Sequence, residues 1–282
     1  MIDNIDKKSL HRLVVVCLEN EKIYAHALKD NLFVPLEMGI IKTVKTPQEF
    51  ENIFSSFTGA LDIIVCIMTD YSRNTMTNML TSNEDVIKQR ALVVIPVLIG
   101  HSEVQFDFFT TLPIISSTGD MRVLADKVSK AIKNYIHIQW EKLHSFEFEN
   151  LVKDILKAYH FENIMLCASD HFDFGYDLLC SYHKNDDNGI SEENWLVEIK
   201  YSREERFTIS NIKDTIMQDR SHYMPNSRVM LVTNGTLTSV VVNYVTDLQE
   251  KQNLPIYIVD GWKLSNLIAL NNNLMNEYFR YE

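Results

Sequence analysis

The chain has 282 residues, 46% hydrophobic and 23% charged, with only eight glycines and six prolines; this is the balance of a folded globular protein of one large or two ordinary domains, and it argues against low complexity and disorder. The longest apolar runs, Leu92–Leu98 and Ile63–Met68, are too short to cross a bilayer, and Met1–Lys8 lacks a basic-then-apolar leader pattern, so a cytoplasmic protein with no membrane partner is expected. The net charge of −11 is uneven: residues 1–140 carry 14 Lys and Arg against 16 Asp and Glu (net −2), residues 141–282 carry 13 against 22 (net −9), which speaks against a tight, constitutive nucleic-acid binder.

The first half alternates short apolar strands with helices. A β-branched run at residues 12–17 predicts a strand buried on both faces. A helix over about residues 20–32 follows, with Ile23, Ala27 and Leu28 inward, and then a strand over Gly39–Val44. Thr46-Pro47-Gln48-Glu49 has the chemistry of a helix start, and Phe50, Ile53, Phe54 and Phe57 form its apolar face. Further strands are expected at Leu61–Thr69, Ala91–Leu98 and Pro113–Ser116. One or two helices should fill Asp70–Arg90. A closing amphipathic helix is expected over Gly119–Ile138, with Val123, Leu124, Val128 and Ile132 on one face. This order predicts a parallel sheet covered on both sides, with its functional crevice beyond the carboxyl ends of the strands. Those ends bring Leu18-Glu19-Asn20, Thr69–Asn74, Gly100-His101 and Ser116–Thr118 to one rim. No glycine-rich phosphate fingerprint follows the first strand. The four cysteines form no C-x-x-C pair and are read as buried small hydrophobes rather than zinc ligands or a disulfide framework.

A short junction near Gln139–Ser145 leads into the second half, giving expected domains of 1–140 and 141–282. Ser145–Tyr159 predicts a helix with Phe148, Leu151, Val152, Ile155 and Leu156 inward. A strand near residues 160–166 follows, then Asp173-Phe174-Gly175-Tyr176-Asp177-Leu178-Leu179, a polar turn over His183–Asn194, and Leu196-Val197-Glu198-Ile199-Lys200-Tyr201. Side chains alternate along a strand, so Glu198 and Lys200 share one face while Val197 and Ile199 point to a core. Pairing of the two runs as a hairpin would join Asp177 to Glu198 and Lys200. Two carboxylates and an ammonium at one place suit a hard divalent cation and a developing phosphate charge. By itself E-x-K is more often an ordinary solvated strand face, because such a tripeptide occurs by chance in many strands. Beyond it a helix is expected around Ser210–Tyr223, a strand at Val229–Gly235, a helix over Thr238–Lys251, a strand at Ile256–Gly261 and a terminal helix from Trp262. Asn234-Gly235 reads as a turn and Asp260-Gly261 as the corner before a helix.

Taken in order, Phe148-Glu149, Asp173-Phe174-Gly175-Tyr176-Asp177, Glu198-Ile199-Lys200, Gln218, Leu231–Gly235 and Val259–Leu264 resemble the Mrr-like branch of the PD-(D/E)xK restriction-endonuclease superfamily over about residues 145–270. The resemblance implies a mixed-sheet α/β restriction-endonuclease-like domain. It implies a catalytic set of Asp177, Glu198, Lys200, Glu149 and Gln218, and a metal set of Asp177, Glu198 and Glu149 for Mg²⁺ or Mn²⁺. Tyr176 stands where the family often has isoleucine, and Glu198 where many members have glutamine. Residues 10–135 resemble TIR-like and other flavodoxin-like domains in the pattern of Ile63–Ser72 and Val94–Leu98. The stretch Arg73–Leu80 lacks the glutamate that NAD-cleaving TIR enzymes carry there. The combined expectation is a metal-dependent DNA endonuclease effector of antiphage defence, regulated by its N-terminal domain. Its expected partners are DNA, further copies of itself, and a nucleotide-derived activator or a partner defence protein. Two other classes stay open: an NAD or nucleotide hydrolase with the C-terminal fold as a binding module, and a non-catalytic scaffold.

Overall fold

A computed structural model describes residues 12–32, 41–55, 62–89, 93–100, 115–117, 120–167, 176–186, 189–202, 206–207, 209, 227–252 and 255–279. It divides into two compact units, Met1–His137 and Ile138–Glu282. Both are α/β. Gln218, Asp173, Gly175, Phe57, His222, Tyr223 and the helix expected at Ser210–Tyr223 lie outside the described residues. Among the described residues no helix is long and apolar enough to cross a membrane.

In the first unit, strands β1 (Arg12–Cys17), β2 (Ile41–Thr43), β3 (Asp62–Thr69), β4 (Val93–Ile99) and β5 (Ile115–Ser117) form one sheet in the order 2-1-3-4-5. Every pairing is parallel. This is the doubly wound, flavodoxin-like order, whose switch point falls between the first and third strands. Helices α1 (Lys22–Asn31), α2 (Pro47–Ser55), α3 (Arg73–Ser82), α4 (Glu84–Gln89) and α5 (Met121–Ile136) supply the crossovers. The strands are dry because both faces are covered: Val15, Val16, Ile63, Ile64, Val65 and Val97 have no exposure. Two expected core residues face outward. Ile23 is 73% exposed and Val123 50%. Ala25 and Leu28 set the buried side of α1, and Leu124, Ala125, Val128 and Ile132 that of α5. The small alanines let each helix approach its neighbours closely, and the bulkier β-branched residues of the first turns are left outside.

The rim at the switch point is closed by a residue that the sequence pattern does not reveal. Glu21, which ends a single 3-10 turn (Glu19–Glu21), is 3% exposed. Its carboxylate accepts the Leu18 amide at 3.1 Å, the Thr69 amide at 3.0 Å, the Thr69 hydroxyl at 2.8 Å and the Ser72 hydroxyl. Ser72 is thereby buried at 1% exposure rather than presented on a polar loop, whereas Tyr71 beside it is 88% exposed. One carboxylate thus accepts from four donors at the strand ends where such folds place a ligand.

In the second unit, β6 (Phe161–Leu166), β7 (Leu178–Asp186), β8 (Gly189–Lys200), β10 (Arg228–Thr233) and β12 (Ile256–Val259) form a mixed sheet in the order 12-10-8-7-6; β9 (Arg206–Phe207) and β11 (Thr236–Leu237) pair separately. The β6–β7 and β7–β8 pairings are antiparallel, and β8–β10 and β10–β12 are parallel. Helix α6 (Ser145–Ala158) starts with His144, not Ser145, in the cap position, and the His144 amide donates to the Glu147 carboxylate at 2.7 Å. Its stripe of Phe148, Leu151, Val152, Ile155 and Leu156 is buried as expected. Helices α7 (Ser239–Gln252), α8 (Gly261–Ala269) and α9 (Asn272–Tyr278) follow. The polar segment His183–Asn194, expected as a turn, is mostly strand: the β7–β8 ladder continues to Asp186↔Gly189. Backbone pairing there overrides the polar composition, because an antiparallel ladder satisfies its amides whatever side chains it carries.

Removing the Glu21 carboxylate would take the shared acceptor from four partly buried donors, of which the Thr69 amide would keep the Ser72 hydroxyl at 2.9 Å. Glu21→Ala is expected to cost the first unit about 2–4 kcal/mol, read as a lower urea midpoint. Formate, which fits the vacated space, should restore part of the loss, and chloride at the same ionic strength should not. An unchanged midpoint would show that the four contacts carry no net stability.

Candidate active site

The site residues gather at the end of β8. Leu196, Glu198 and Lys200 share one face of that strand, and the strand passes from dry to wet along them: Leu196 is 1% exposed, Glu198 5%, and the Lys200 side chain 35%. Leu196 lies in a core with Leu179, Val229, Leu231, Val241, Val245 and Leu248, which packs α7 on this face. Leu231 is the register partner of Glu198 on β10. A carboxylate this deep needs a compensating charge, and the Lys200 ammonium is paired with Glu198 Oε1.

Asp177 sits one residue before β7 and is fastened twice to β8. Its amide donates to the Val197 carbonyl at 3.0 Å. Its Oδ2 accepts the amide of Ile199 at 2.6 Å. Ile199 is the residue between Glu198 and Lys200, so this one hydrogen bond draws the aspartate onto the E-x-K segment. Burial raises the Asp177 pKa above the ordinary carboxylate value, partly offset by the Ile199 amide and the Lys200 charge. Glu149, on α6, is also raised, by burial first and then by the negative charge of Asp177. The structure therefore brings Asp177, Glu198, Lys200 and Glu149 into one neighbourhood.

Two tyrosine contacts explain why α6 reaches this place. Tyr201 follows Lys200 and points to the opposite face. Its hydroxyl lies 2.8 Å from the Leu143 carbonyl and 3.1 Å from that of Trp140, so it donates into the turn that precedes α6. Its ring packs on Phe148 at 5.4 Å between centroids, next to Glu149 in sequence. Sequence reading missed this role. The signal was an aromatic with a polar end directly after a strand.

Among the described residues no three His, Cys, Asp or Glu side chains converge as a ready cation cage. The donor set still fits a magnesium-like ion, which takes one or two carboxylates and completes its shell with substrate oxygens and water. Asp177 and Glu198 supply two. The raised pKa values of Asp177 and Glu149 record carboxylates crowded in a poorly hydrated place, and a divalent cation would relieve that. All four cysteines are free, and Cys17, Cys66 and Cys180 are buried with raised thiol pKa values, to about 11 for Cys17 and about 12 for Cys180; none has the exposed thiolate character of a nucleophile.

A carboxylate whose folded pKa lies above its unfolded value favours folding when protonated. That contribution is complete below the unfolded pKa and is lost as pH rises through the folded one. Asp177→Asn keeps an oxygen acceptor for the Ile199 amide and removes the charge. It is expected to raise the unfolding temperature of the metal-free protein at neutral pH, with the difference closing as pH falls through the carboxylate range. Thermal scans at several pH values check this, and a pH-independent difference would contradict it.

No curated protein matches the chain. Among solved structures, the MspJI restriction endonuclease in complex with a 27-mer oligonucleotide aligns at 12% sequence identity and a TM-score of 0.35, over 63% of this chain and 40% of that one; the chain thus spans well under half the length of that protein. The model of the restriction endonuclease family Mrr_cat matches residues 140–268. Just under half of this chain, residues 140–268, is thus similar to the restriction endonuclease family.

Proposed function

We propose that this chain is a metal-dependent DNA endonuclease that hydrolyses phosphodiester bonds at the Asp177–Glu198–Lys200 site. The observation that carries the reading is the Ile199 amide held by Asp177 Oδ2, which sets a half-buried carboxylate against Glu198 and Lys200 inside the segment that matches the restriction endonuclease family. Asp177 and Glu198 would hold Mg²⁺ or Mn²⁺, with Glu149 beside them; the ion would polarise the scissile phosphate and lower the pKa of a nearby water. The chain's own groups do the rest. Lys200, partly exposed and tethered to Glu198, can turn toward the phosphate, orient the attacking water and offset charge that develops on the phosphoryl oxygens. The apolar floor under Glu198 limits hydration, so these charges are screened less than on an open surface. Gln218 belongs to the same set on the family resemblance alone.

The regulation proposed for this nuclease lies in the first unit, through assembly or a nucleotide-derived ligand, as suits an effector of antiphage defence. The acidity of the second half supports dependence on assembly: a site on a domain of net charge −9 gains DNA affinity when several copies engage one duplex. A TIR-like character of the first unit remains part of this proposal, and the parallel 2-1-3-4-5 sheet is compatible with it.

The test is cleavage of supercoiled plasmid by the full chain with Mg²⁺ or Mn²⁺, with and without candidate nucleotide ligands. Asp177→Ala and Lys200→Ala are each expected to slow cutting by about 10²–10³-fold or more, the scale set by removal of one preorganised electrostatic group, with the fold intact by circular dichroism. Cleavage that survives both substitutions would move the chemistry elsewhere.

A further inference from the structure

The end of β8 carries a second restraint, on the residue just past Tyr201. The Asn234 side chain meets the backbone of Ser202 through both of its polar atoms: Oδ1 accepts the Ser202 amide at 2.8 Å, and Nδ2 donates to the Ser202 carbonyl at 2.7 Å. Asn234 follows β10 directly, and the last rung of the β8–β10 ladder is Thr233↔Lys200. The amide side chain thus behaves as one more peptide unit and extends the parallel ladder by a rung beyond Lys200, where β10 itself has turned away.

The turn that aims Asn234 is itself fixed. Thr233, fully buried, accepts the Gly235 amide on its hydroxyl at 3.1 Å. The Gly261 amide donates to the Gly235 carbonyl at 3.1 Å, and a Cβ built at Gly261 would lie 2.1 Å from the Asn234 carbonyl oxygen. Only glycine allows that approach. Asp260 caps α8 by accepting the Lys263 amide at 3.0 Å. The exits of β8, β10 and β12 are in this way tied to one another around Asn234.

Lys200 lies between Asp177's hold on Ile199 and the holds on Tyr201 and Ser202. A half-exposed lysine on a strand end would otherwise sit on fraying backbone. We propose that Asn234 is a positioning residue for Lys200: it keeps the β8 exit in register so that the ammonium stays at Glu198 and at the phosphate. The proposal rests on the nuclease reading given above and assigns Asn234 no contact with substrate.

The test uses the full chain and three variants. Asn234→Ala removes both hydrogen bonds. Asn234→Asp keeps the acceptor for the Ser202 amide and loses the donor. Tyr159→Phe, which removes a hydroxyl that donates to the Leu267 carbonyl at 3.1 Å away from the site, reports general loss of stability. Hydrogen exchange of the free protein should show faster exchange at Ser202 in Asn234→Ala. Single-turnover cleavage at saturating DNA should fall about 10–100-fold in Asn234→Ala, the scale of a small misplacement of a reacting group. Asn234→Asp should be intermediate, and the DNA dissociation constant should stay within about twofold of wild type in both. Tyr159→Phe should cut at the wild-type rate. Unchanged exchange at Ser202, a wild-type rate in Asn234→Ala, or an equal rate loss in Tyr159→Phe each overturns the proposal. A wild-type chain that cuts no DNA under any metal overturns the nuclease reading and the role of Asn234 with it, and the exchange data then report only a structural rung.

Discussion

The hydrogen bond from the Ile199 amide to Asp177 Oδ2 decides where the acidic chemistry of the second unit can sit. A carboxylate taken out of water loses hydration that must be replaced, and a backbone amide on a strand end is a donor that cannot swing away. Once Asp177 is fixed there, the alternation of β8 determines the rest. Glu198 and Lys200 must flank the bond on one face, and Tyr201 must leave from the other toward α6. The sheet thus places three charged groups without a dedicated loop, and α6 brings the fourth.

The two units treat their strand ends in opposite ways. In the first, four donors at the switch point are met by the Glu21 carboxylate. In the second, carboxylates are gathered in a poorly hydrated place: Asp177 accepts the Ile199 amide, Glu198 pairs with Lys200, and Glu149 is raised by burial and then by the charge of Asp177. A satisfied strand end stabilises a fold. Carboxylates crowded away from water instead favour positive charge beside them.

Much of this was legible in the chain because it rests on local periodicity. The strand–helix alternation gave the parallel sheet of the first unit, and the parity of Glu198, Ile199 and Lys200 gave their faces. The contacts that organise the sites were not legible, because they join distant positions. Glu21 meets Thr69 across 48 residues, Asn234 meets Ser202 across 32, and Tyr201 meets Leu143 across 58. Nothing in a window around Glu21 distinguishes it from an acid on an exposed helix start. Helix faces were misjudged at Ile23 and Val123 for a related reason: hydrophobicity marks what can be buried, while the sheet beneath decides which turn is close enough to be covered. The length of the β7–β8 hairpin was hidden by its polar composition, since an antiparallel ladder is specified by its partner more than by its own residues.

That hairpin separates a length that can vary from a parity that cannot. Beyond the rungs Phe161↔Tyr182 and Arg228↔Trp195, its ladder continues from His183↔Glu192 to Asp186↔Gly189 as two strands paired with each other. A two-stranded ribbon adds little stability of its own, so its length can change at little cost to the fold. Parity cannot: a change of one residue between Asp177 and Glu198 on one strand would turn every later side chain to the opposite face and bury Lys200 in place of Ile199. The spacing between the aspartate and the E-x-K segment can therefore change at the tip, or by matched residues across the two strands, without moving the chemistry.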